Sequence, residues 1–536
     1  MKKVFTIFAI ILISKVFLSF FINSLLVFPD ESCFFLKAKH FSNTLSLENC
    51  STLSSLEVGN PYPLYSIIIS PVFLFFENLK ALKSIFIINI LLTTLIFFPI
   101  FEILKNQIKN LNKSLFFATI LTLLPTITAY ERMLMSESLF IFLGIFCFYY
   151  YQKSILENKL RPKLISFFLS FLAIFTRPFG FILIISLLIN DLFISKNKKI
   201  KLLIFFFTII LIFFAQKVLL PNATYEIQEK IASLKDFSNY SLILKSIKNQ
   251  INSLSIETFF IPTLILFTYL LDKKDKIFKK TRFFFITFIS LNLIISSQHI
   301  YKYLLSGVAN LDLSTRYLNL SILFIILCFF IIIEKSKKIK SSPYIFLLLI
   351  IPLFFLTFKE INHALNITLS PYYEVFNGII KAKTYFIYIF TPLIFLLFTL
   401  LTLKKKNLII YSISLIFILQ TIILSFWHIN YSKIEEEKEE YKYFKNQQSK
   451  ILLVKSLSYY KNSAIRPVYF DYFRIKTLTS NQINIVHFND IKELHDETNQ
   501  EWKNLIKDYN YIISPYPLTL KKVGETSTKD SIYLNK

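Results

Sequence analysis

Long apolar runs separated by short basic segments fill most of this 536-residue chain. Runs of roughly 17 to 25 apolar residues are long enough to cross the hydrocarbon core of a bilayer as helices. Backbone groups inside a bilayer must be hydrogen-bonded within the protein, which favours the α-helix for such runs. Hydrophobic residues make up 54% of the chain and the mean hydropathy is +0.54, more than one soluble core would bury. The sequence therefore predicts an α-helical polytopic membrane protein.

The apolar runs predict about thirteen transmembrane helices. They lie at 4–28, 84–104, 114–130, 134–151, 164–176, 178–195, 202–219, 257–271, 283–297, 318–333, 343–358, 384–403 and 408–427. Segment 62–77 is also apolar, but it is short and carries Pro63 and Pro71, so we interpret it as a re-entrant or interfacial helix. The first run resembles a signal peptide, yet no small-residue cleavage site follows it, and we interpret it as a retained span.

Lysine and arginine predict the topology. The formal net charge of +26 would suggest nucleic-acid binding in a soluble protein, but here the basic residues cluster between apolar runs. With a cytoplasmic N-terminus and no span at 62–77, all these clusters are cytoplasmic, as the positive-inside rule requires. The clusters lie at 105–113, 153–163, 196–201, 273–282, 335–340 and 404–406. The longer loops then lie outside, at 29–61, 220–256, 298–317 and 359–383, and we expect the chemistry on that side.

The chain after Ser432 changes from apolar to charged. Short β-rich runs follow at 467–470, 483–488 and 511–514, with a helical stretch at about 490–508. Strands alternating with helices predict a small α/β domain with a partly parallel sheet. We therefore divide the chain into a transmembrane domain, 1–430, and a soluble extracytoplasmic domain, 431–536.

The four cysteines fall into two groups. Cys33 and Cys50 lie in the first external loop, where a disulfide closing about 18 residues would stabilise the fold by roughly 3 kcal/mol in the chain-entropy model. Cys147 and Cys328 lie within apolar runs and are expected to be packing residues. No Cys/His cluster has the spacing of zinc ligands, and one acidic pair alone is a poor metal site. We expect neither a metal nor another cofactor.

Short polar motifs occur in a fixed order at the external ends of the runs. They are Asp30-Glu31, Asn60-Pro61-Tyr62-Pro63-Leu64-Tyr65, Ser136-Glu137-Ser138-Leu139-Phe140, Arg177-Pro178-Phe179-Gly180 and Arg316-Tyr317-Leu318. Together they resemble the motifs of the GT-C class of membrane glycosyltransferases, specifically the bacterial relatives of protein mannosyltransferases and of the aminoarabinose transferase that modifies lipid A. The resemblance covers roughly residues 1–430. It departs from the family pattern at three places. Pro61-Tyr62-Pro63 occurs where two successive prolines are usual, and a proline that is usual in the family is missing at Ser66 and after Asn319.

The resemblance implies transfer of a sugar from a polyprenyl-phosphate carrier to an extracytoplasmic glycolipid, glycan or protein. An attacking hydroxyl needs a base, for which we select Asp30, and one base without a covalent intermediate predicts inversion at the anomeric carbon. Cations would hold the phosphate leaving group. The candidate substrate-binding residues are Glu31, Tyr62, Tyr65, Arg132, Glu137, Arg177, Lys302, Arg316 and Tyr317. We expect a multi-pass protein of the bacterial inner membrane, with a bilayer and a lipid-linked donor as partners and no nucleic acid.

Several candidates also have a structural interpretation. A solvated helix end explains Asp30 and Glu31, and snorkelling to the interface explains Arg132 and Arg316. An unpaired Glu137 inside a span would be costly, so we expect it to pair with an arginine or to bind a sugar hydroxyl.

A flippase for lipid-linked glycans, another transporter or a polysaccharide polymerase is the alternative function. A transporter should show internal repeats, and the sequence shows none. A polymerase would use a polyprenyl diphosphate donor and would not begin with an acidic pair after the first span.

Overall fold

The computed structural model describes most of the chain up to residue 335 and several segments after it. The described residues are 2–22, 29–47, 62–177, 179–194, 206, 240–258, 261–271, 278, 280–305, 318–335, 406–437, 450–456, 482–488, 506–514, 520–525 and 531–534. The spans expected at 202–219, 343–358 and 384–403 lie outside these residues, so the number thirteen stays a prediction.

Helices form the described chain up to residue 437. They are α1 Lys2–Ser19, α2 Pro29–Thr44, α3 Leu64–Ile69, α4 Asn78–Leu95, α5 Phe97–Ile108, α6 Leu111–Thr122, α7 Pro125–Glu131, α8 Glu137–Glu157, α9 Leu160–Ile174, α10 Gly180–Ile194, α11 Tyr240–Glu257, α12 Ile261–Leu271, α13 Arg282–Leu305, α14 Asn319–Lys335 and α15 Lys406–Glu437. A 3-10 helix, Ser70–Leu74, follows α3 directly. Within the described residues, three helical stretches are long and apolar enough to cross a membrane: Asn78–Ile108, Glu137–Glu157 and Leu408–Phe426.

Two predicted spans differ in detail from the helices observed. The span expected at 114–130 is the pair α6 and α7, bent by 51°, and it makes a fourth candidate span if the two helices are counted as one. Proline disfavours helical backbone at the preceding residue, so the break falls just before Pro125. Helix α11 occupies part of 220–256, which was expected to be a loop. Segment 62–77 contains only the short stretch Leu64–Leu74, which agrees with a re-entrant or interfacial helix.

The chain forms two compact units. The first comprises Met1–Ser14, Asn89–Glu131 and Ser136–Ser425, and the second comprises Lys15–Ile88, Arg132–Met135 and Phe426–Lys536. The boundary between a membrane part and a soluble part at 430/431 stays a prediction.

Helix α14 is the core of the first unit, because every residue from Asn319 to Ile333 is buried. Its Phe330 stacks on Phe117 of α6 with ring centroids 4.4 Å apart. A Cβ atom at Gly144 of α8 would lie 2.4 Å from Leu320 Cδ2, so glycine permits α8 and α14 to approach closely.

A buried polar network joins the ends of α8, α10 and α13. Asn190 Nδ2 donates to Tyr151 Oη at 2.7 Å and to the Lys280 carbonyl at 3.0 Å, and the Tyr151 hydroxyl donates to Asp191 Oδ1 at 2.9 Å. Lys163 forms an ion pair with Asp191. These ends carry the basic clusters expected in the cytoplasm, and the network holds them together.

In the second unit, α2 packs on α3 and on the 3-10 helix that follows it. Phe34 meets Tyr65 edge-on with ring centroids 5.0 Å apart, and Phe35 meets Phe73 edge-on at 4.7 Å. The Ser66 hydroxyl donates to the Phe34 carbonyl at 3.4 Å. The chain is therefore helical on both sides of 48–61, which lie outside the described residues, and α2 lies where a juxtamembrane helix was expected.

A five-stranded sheet lies near the C-terminus of the same unit. Its strands are β1 Lys450–Ser456, β2 Gln482–Phe488, β3 Tyr511–Ser514, β4 Lys521–Glu525 and β5 Ser531–Leu534, in the order β2-β1-β3-β5-β4. β1 pairs in parallel with β2 and β3, whereas β5 pairs antiparallel with β3 and β4. The β-rich runs at 483–488 and 511–514 coincide with β2 and β3. The run at 467–470 and nearly all of the expected helix at 490–508 lie outside the described residues.

Candidate active site

A buried ion pair in the first unit joins two of the sequence motifs. Arg177 Nη1 lies 2.5 Å from Glu137 Oε1, and their side chains are only 8% and 2% exposed. Arg177 also lies over the Phe179 ring, 5.8 Å from its centroid. Pairing with an arginine was one of the two expectations for Glu137.

The backbone around this pair fixes both side chains. Glu137 is the first residue of α8, where the positive end of the helix dipole stabilises a carboxylate. Arg177 lies in the turn between α9 and α10, and its carbonyl accepts from the Gly180 amide at 3.0 Å. A Cβ atom at Gly180 would lie 2.3 Å from the Ile174 nitrogen and 2.4 Å from the Ala173 carbonyl carbon. Only glycine fits this turn, which explains the glycine of the Arg-Pro-x-Gly motif.

A second buried carboxylate, Glu131, lies at the end of α7 and belongs to none of the sequence motifs. It is 0% exposed, and its Oε1 accepts from the Thr93 hydroxyl at 2.8 Å. An acidic residue at the edge of an apolar run was the available signal, since such residues are costly unless they are paired or functional.

Arg132 and His428 are buried in the second unit. Their exposures are 1% and 0%, so protein atoms rather than solvent or lipid cover Arg132, and the snorkelling alternative is wrong for it. His428 lies just beyond the candidate span Leu408–Phe426. Burial, and secondarily the charge of Arg132, lowers the pKa of His428 well below its ordinary value. No sequence motif surrounds His428, so only its burial identifies it.

Asp30 and Glu31 lie in the first turn of α2, which begins at Pro29. Proline is favoured in the first helical turn because its missing N–H needs no partner there. Lys37 lies seven residues after Asp30, close to two helical turns, so the two positions share one side of the helix. Lys37 is 6% exposed, and burial lowers the pKa of its ammonium group to about 8. Tyr62 and Tyr65 are also buried in this unit.

The remaining candidates are described only in part. Lys302 lies in the last two turns of α13, whose side chains there lie outside the described residues, as do Arg316 and Tyr317 entirely. Cys33 is disulfide-bonded, and its expected partner Cys50 lies outside the described residues. Cys147 and Cys328 are free and buried, as expected of packing residues. Among the described residues no group of three His, Cys, Asp or Glu side chains could hold a metal ion.

Comparison with known proteins gives a match at the level of structure. No family model and no curated protein matches the sequence. The apo crystal structure of ArnT from Cupriavidus metallidurans superposes with a TM-score of 0.54 over 99% of this chain and 97% of the ArnT chain, at 10% identity. ArnT from the same organism bound to undecaprenyl phosphate gives a TM-score of 0.53 over 99% and 98% of the two chains, also at 10% identity.

The chain has the fold of ArnT. ArnT is an aminoarabinose lipid A transferase of the GT-C class. The resemblance to that class inferred from the motifs is therefore confirmed at the level of the fold.

The candidate residues of this chain, which has the ArnT fold, lie in both of its compact units. The first unit brings together Glu137 and Arg177, and the second contains Asp30, Tyr62, Tyr65 and Arg132. Sequence motifs had selected all of these residues except Arg132, which was selected as a cation at the end of an apolar run. Glu131, Lys37 and His428 belong to no motif, and their burial identifies them instead.

Proposed function

We propose that this protein is an integral-membrane glycosyltransferase that moves a sugar from a polyprenyl-phosphate carrier to an acceptor outside the cytoplasm. The observation that carries the proposal is the match to ArnT along nearly the whole of both chains, including an ArnT structure bound to undecaprenyl phosphate. A fold alone hosts many functions, so the assignment also depends on the residues of this chain. The acidic pair, the Glu137–Arg177 pair and the glycine turn all occur in the motifs that the GT-C class shares.

Asp30 is the proposed base. Its carboxylate accepts the hydroxyl proton of the acceptor while the acceptor oxygen bonds to the anomeric carbon. The bond from that carbon to the phosphate oxygen breaks, and polyprenyl phosphate leaves with the electron pair, which inverts the anomeric configuration. Asp30 lies in the first turn of α2, directly after the first predicted span.

Buried cations in the second unit are the proposed partners of the phosphate. Arg132 and Lys37 are both nearly inaccessible to solvent, and a charge in such surroundings acts more strongly than one in water. Arg177 has a different role, because it holds Glu137 in place. We retain Glu31, Tyr62, Tyr65, Lys302, Arg316 and Tyr317 as substrate-binding candidates on the resemblance.

The test is the Asp30→Asn variant, assayed with the full-length protein in vesicles that contain undecaprenyl phosphate bearing a candidate sugar. Loss of a general base should reduce sugar transfer by a factor of roughly 100 to 10,000. Glu77→Gln is the matched control, since Glu77 is an exposed carboxylate of the same unit and should leave transfer unchanged.

An Asp30→Asn protein with normal transfer would exclude this mechanism. The same variant separates the alternatives, because transport of a lipid-linked glycan should survive the substitution. Mass spectrometry of envelope glycolipids, glycans and glycoproteins, with and without the gene, would identify the sugar and the acceptor by the one sugar that is missing.

A further inference from the structure

Helix α14 begins with a buried amide whose hydrogen bonds are unmade. Asn319 is 4% exposed, and among the described residues neither its Oδ1 nor its Nδ2 has a hydrogen-bond partner. Thr126 of α7 is 5% exposed, and its hydroxyl also has none within the described part of the chain. Buried polar groups without partners destabilise a folded protein, and they are uncommon unless a ligand or water completes them.

The packing of α14 shows which neighbouring helices Asn319 faces. Asn319 and Phe330 are eleven residues apart, close to three helical turns, so they lie on one side of the helix. Phe330 stacks on Phe117 of α6, and α6 leads through the 51° bend into α7, which packs on α14. Asn319 therefore lies on the side of α14 that faces α6 and α7, the helix that carries Thr126.

Ser321, on another side of the same helix, differs from Asn319 because its hydroxyl has a hydrogen-bond partner within the protein. It lies two residues from Asn319, which is more than half a helical turn around α14. Its hydroxyl accepts from Asn292 Nδ2 at 2.6 Å, so this polar contact between α13 and α14 is made within the protein.

The chemistry of Asn319 and Thr126 indicates the kind of ligand that the two side chains would bind. An amide and a hydroxyl each donate and accept hydrogen bonds without carrying charge. They therefore match the hydroxyl groups of a sugar rather than a phosphate.

We propose that Asn319 and Thr126 hydrogen-bond the sugar of the lipid-linked donor, an inference that rests on the proposed glycosyltransferase function. The sugar supplies the partners that the two side chains lack, whereas the carrier phosphate binds elsewhere. Removing the amide should then have opposite effects on folding and on binding. Asn319→Leu relieves the burial of an unpaired polar group, and it also deletes a contact with the donor.

The experiment measures the melting temperature of the full-length protein in detergent with two kinds of lipid. One is bare undecaprenyl phosphate, and the other is undecaprenyl phosphate bearing mannose, glucose, galactose or aminoarabinose. Wild-type protein should gain more stability from at least one sugar-bearing lipid than from the bare lipid. Asn319→Leu should melt at a higher temperature without ligand, keep the shift with bare lipid, and bind the sugar-bearing lipid roughly tenfold more weakly. Thr126→Val should show the same loss of the sugar-dependent shift.

Ser321→Ala is the control, because it removes a hydrogen bond that the protein makes for itself. It should lower the melting temperature and retain the sugar-dependent shift. If Asn319→Leu and Thr126→Val keep that shift, the inference is wrong while the proposed function stands. If neither the bare nor any loaded lipid stabilises the wild type, the proposed function fails as well.

Discussion

Individual buried charges set the chemistry available to this protein. Glu137 and Arg177 neutralise each other at 2.5 Å, and a buried pair of this kind is costly to break because the remaining charge is left without compensation. By contrast, the Lys105–Glu102 pair is 48% and 38% exposed, where ion pairs contribute little. Burial, rather than the number of charges, therefore separates the functional candidates from the many surface lysines.

Lys37 gives a prediction at the scale of one residue. Burial lowers its pKa from 10.5 to about 8, so between these values the unfolded chain holds a proton that the folded protein has lost. Stability therefore rises with pH across this window, and below about pH 8 the buried charge destabilises the fold. We expect Lys37→Met to be more stable than wild type at pH 7, by a free energy on the order of 3 kcal/mol, and to lose this pH dependence.

Melting temperatures of both proteins between pH 7 and pH 10.5 provide the measurement. The difference between the two curves isolates Lys37, because all other titrating groups are shared. Lys39→Met is the control, since Lys39 lies on the same helix but is only partly buried. Parallel curves for wild type and Lys37→Met would contradict the prediction. If Lys37 also binds the carrier phosphate, Lys37→Met should weaken binding of undecaprenyl phosphate.

At the scale of helices, the lengths of the apolar runs predicted well which helices exist and roughly where they lie. The runs at 134–151, 164–176 and 178–195 correspond to α8, α9 and α10 within a few residues at most ends. The bend between α6 and α7 was missed because hydropathy is continuous through Pro125, although the proline itself was visible. The cost of an unpaired carboxylate predicted that Glu137 could pair with an arginine, but which arginine it meets depends on tertiary packing. The burial of His428 also depends on tertiary packing, and no motif surrounds this residue.

The turn between α9 and α10 leads to a prediction about Gly180. A methyl group at this position would overlap backbone atoms of Ala173 and Ile174, which cannot move without opening the turn. We expect Gly180→Ala to displace Arg177 from Glu137, destabilise the protein by more than about 2 kcal/mol, and reduce sugar transfer. Thermal unfolding and the transfer assay together measure both effects.

Gly144→Ala is a matched control for Gly180→Ala. There the added methyl group meets the flexible end of the Leu320 side chain, which can change rotamer. A smaller loss of stability with transfer retained is the expected result. Equal effects at the two glycines would argue against a special role for the Arg177 turn.

Across the whole molecule, contacts between distant segments agree with the charge pattern. Lys3 Nζ donates to Asn112 Oδ1 at 2.8 Å, and Lys113 Nζ contacts both carboxylate oxygens of Glu334 at 2.9 and 2.8 Å. The N-terminus, the α5–α6 connection and the end of α14 therefore lie together at one end of the first unit. The positive-inside rule had assigned all three to the cytoplasm independently. The disulfide at Cys33 agrees with the extracytoplasmic location predicted for residues 29–61, because disulfides form outside the cytoplasm.

This arrangement predicts the outcome of reporter fusions in bacterial cells. Alkaline phosphatase folds only outside the cytoplasm because it needs disulfides, so a fusion after Glu77 should be active and fusions after Lys109 and Lys335 should be inactive. A fluorescent protein that folds in the cytoplasm should give the reverse pattern at the same three positions. The contacts between α6 and α14 require Lys109 and Lys335 to report the same side. If Glu77 reported the same side as Lys109, the helical stretch Asn78–Ile108 between them would not cross the bilayer, and the predicted topology would be wrong.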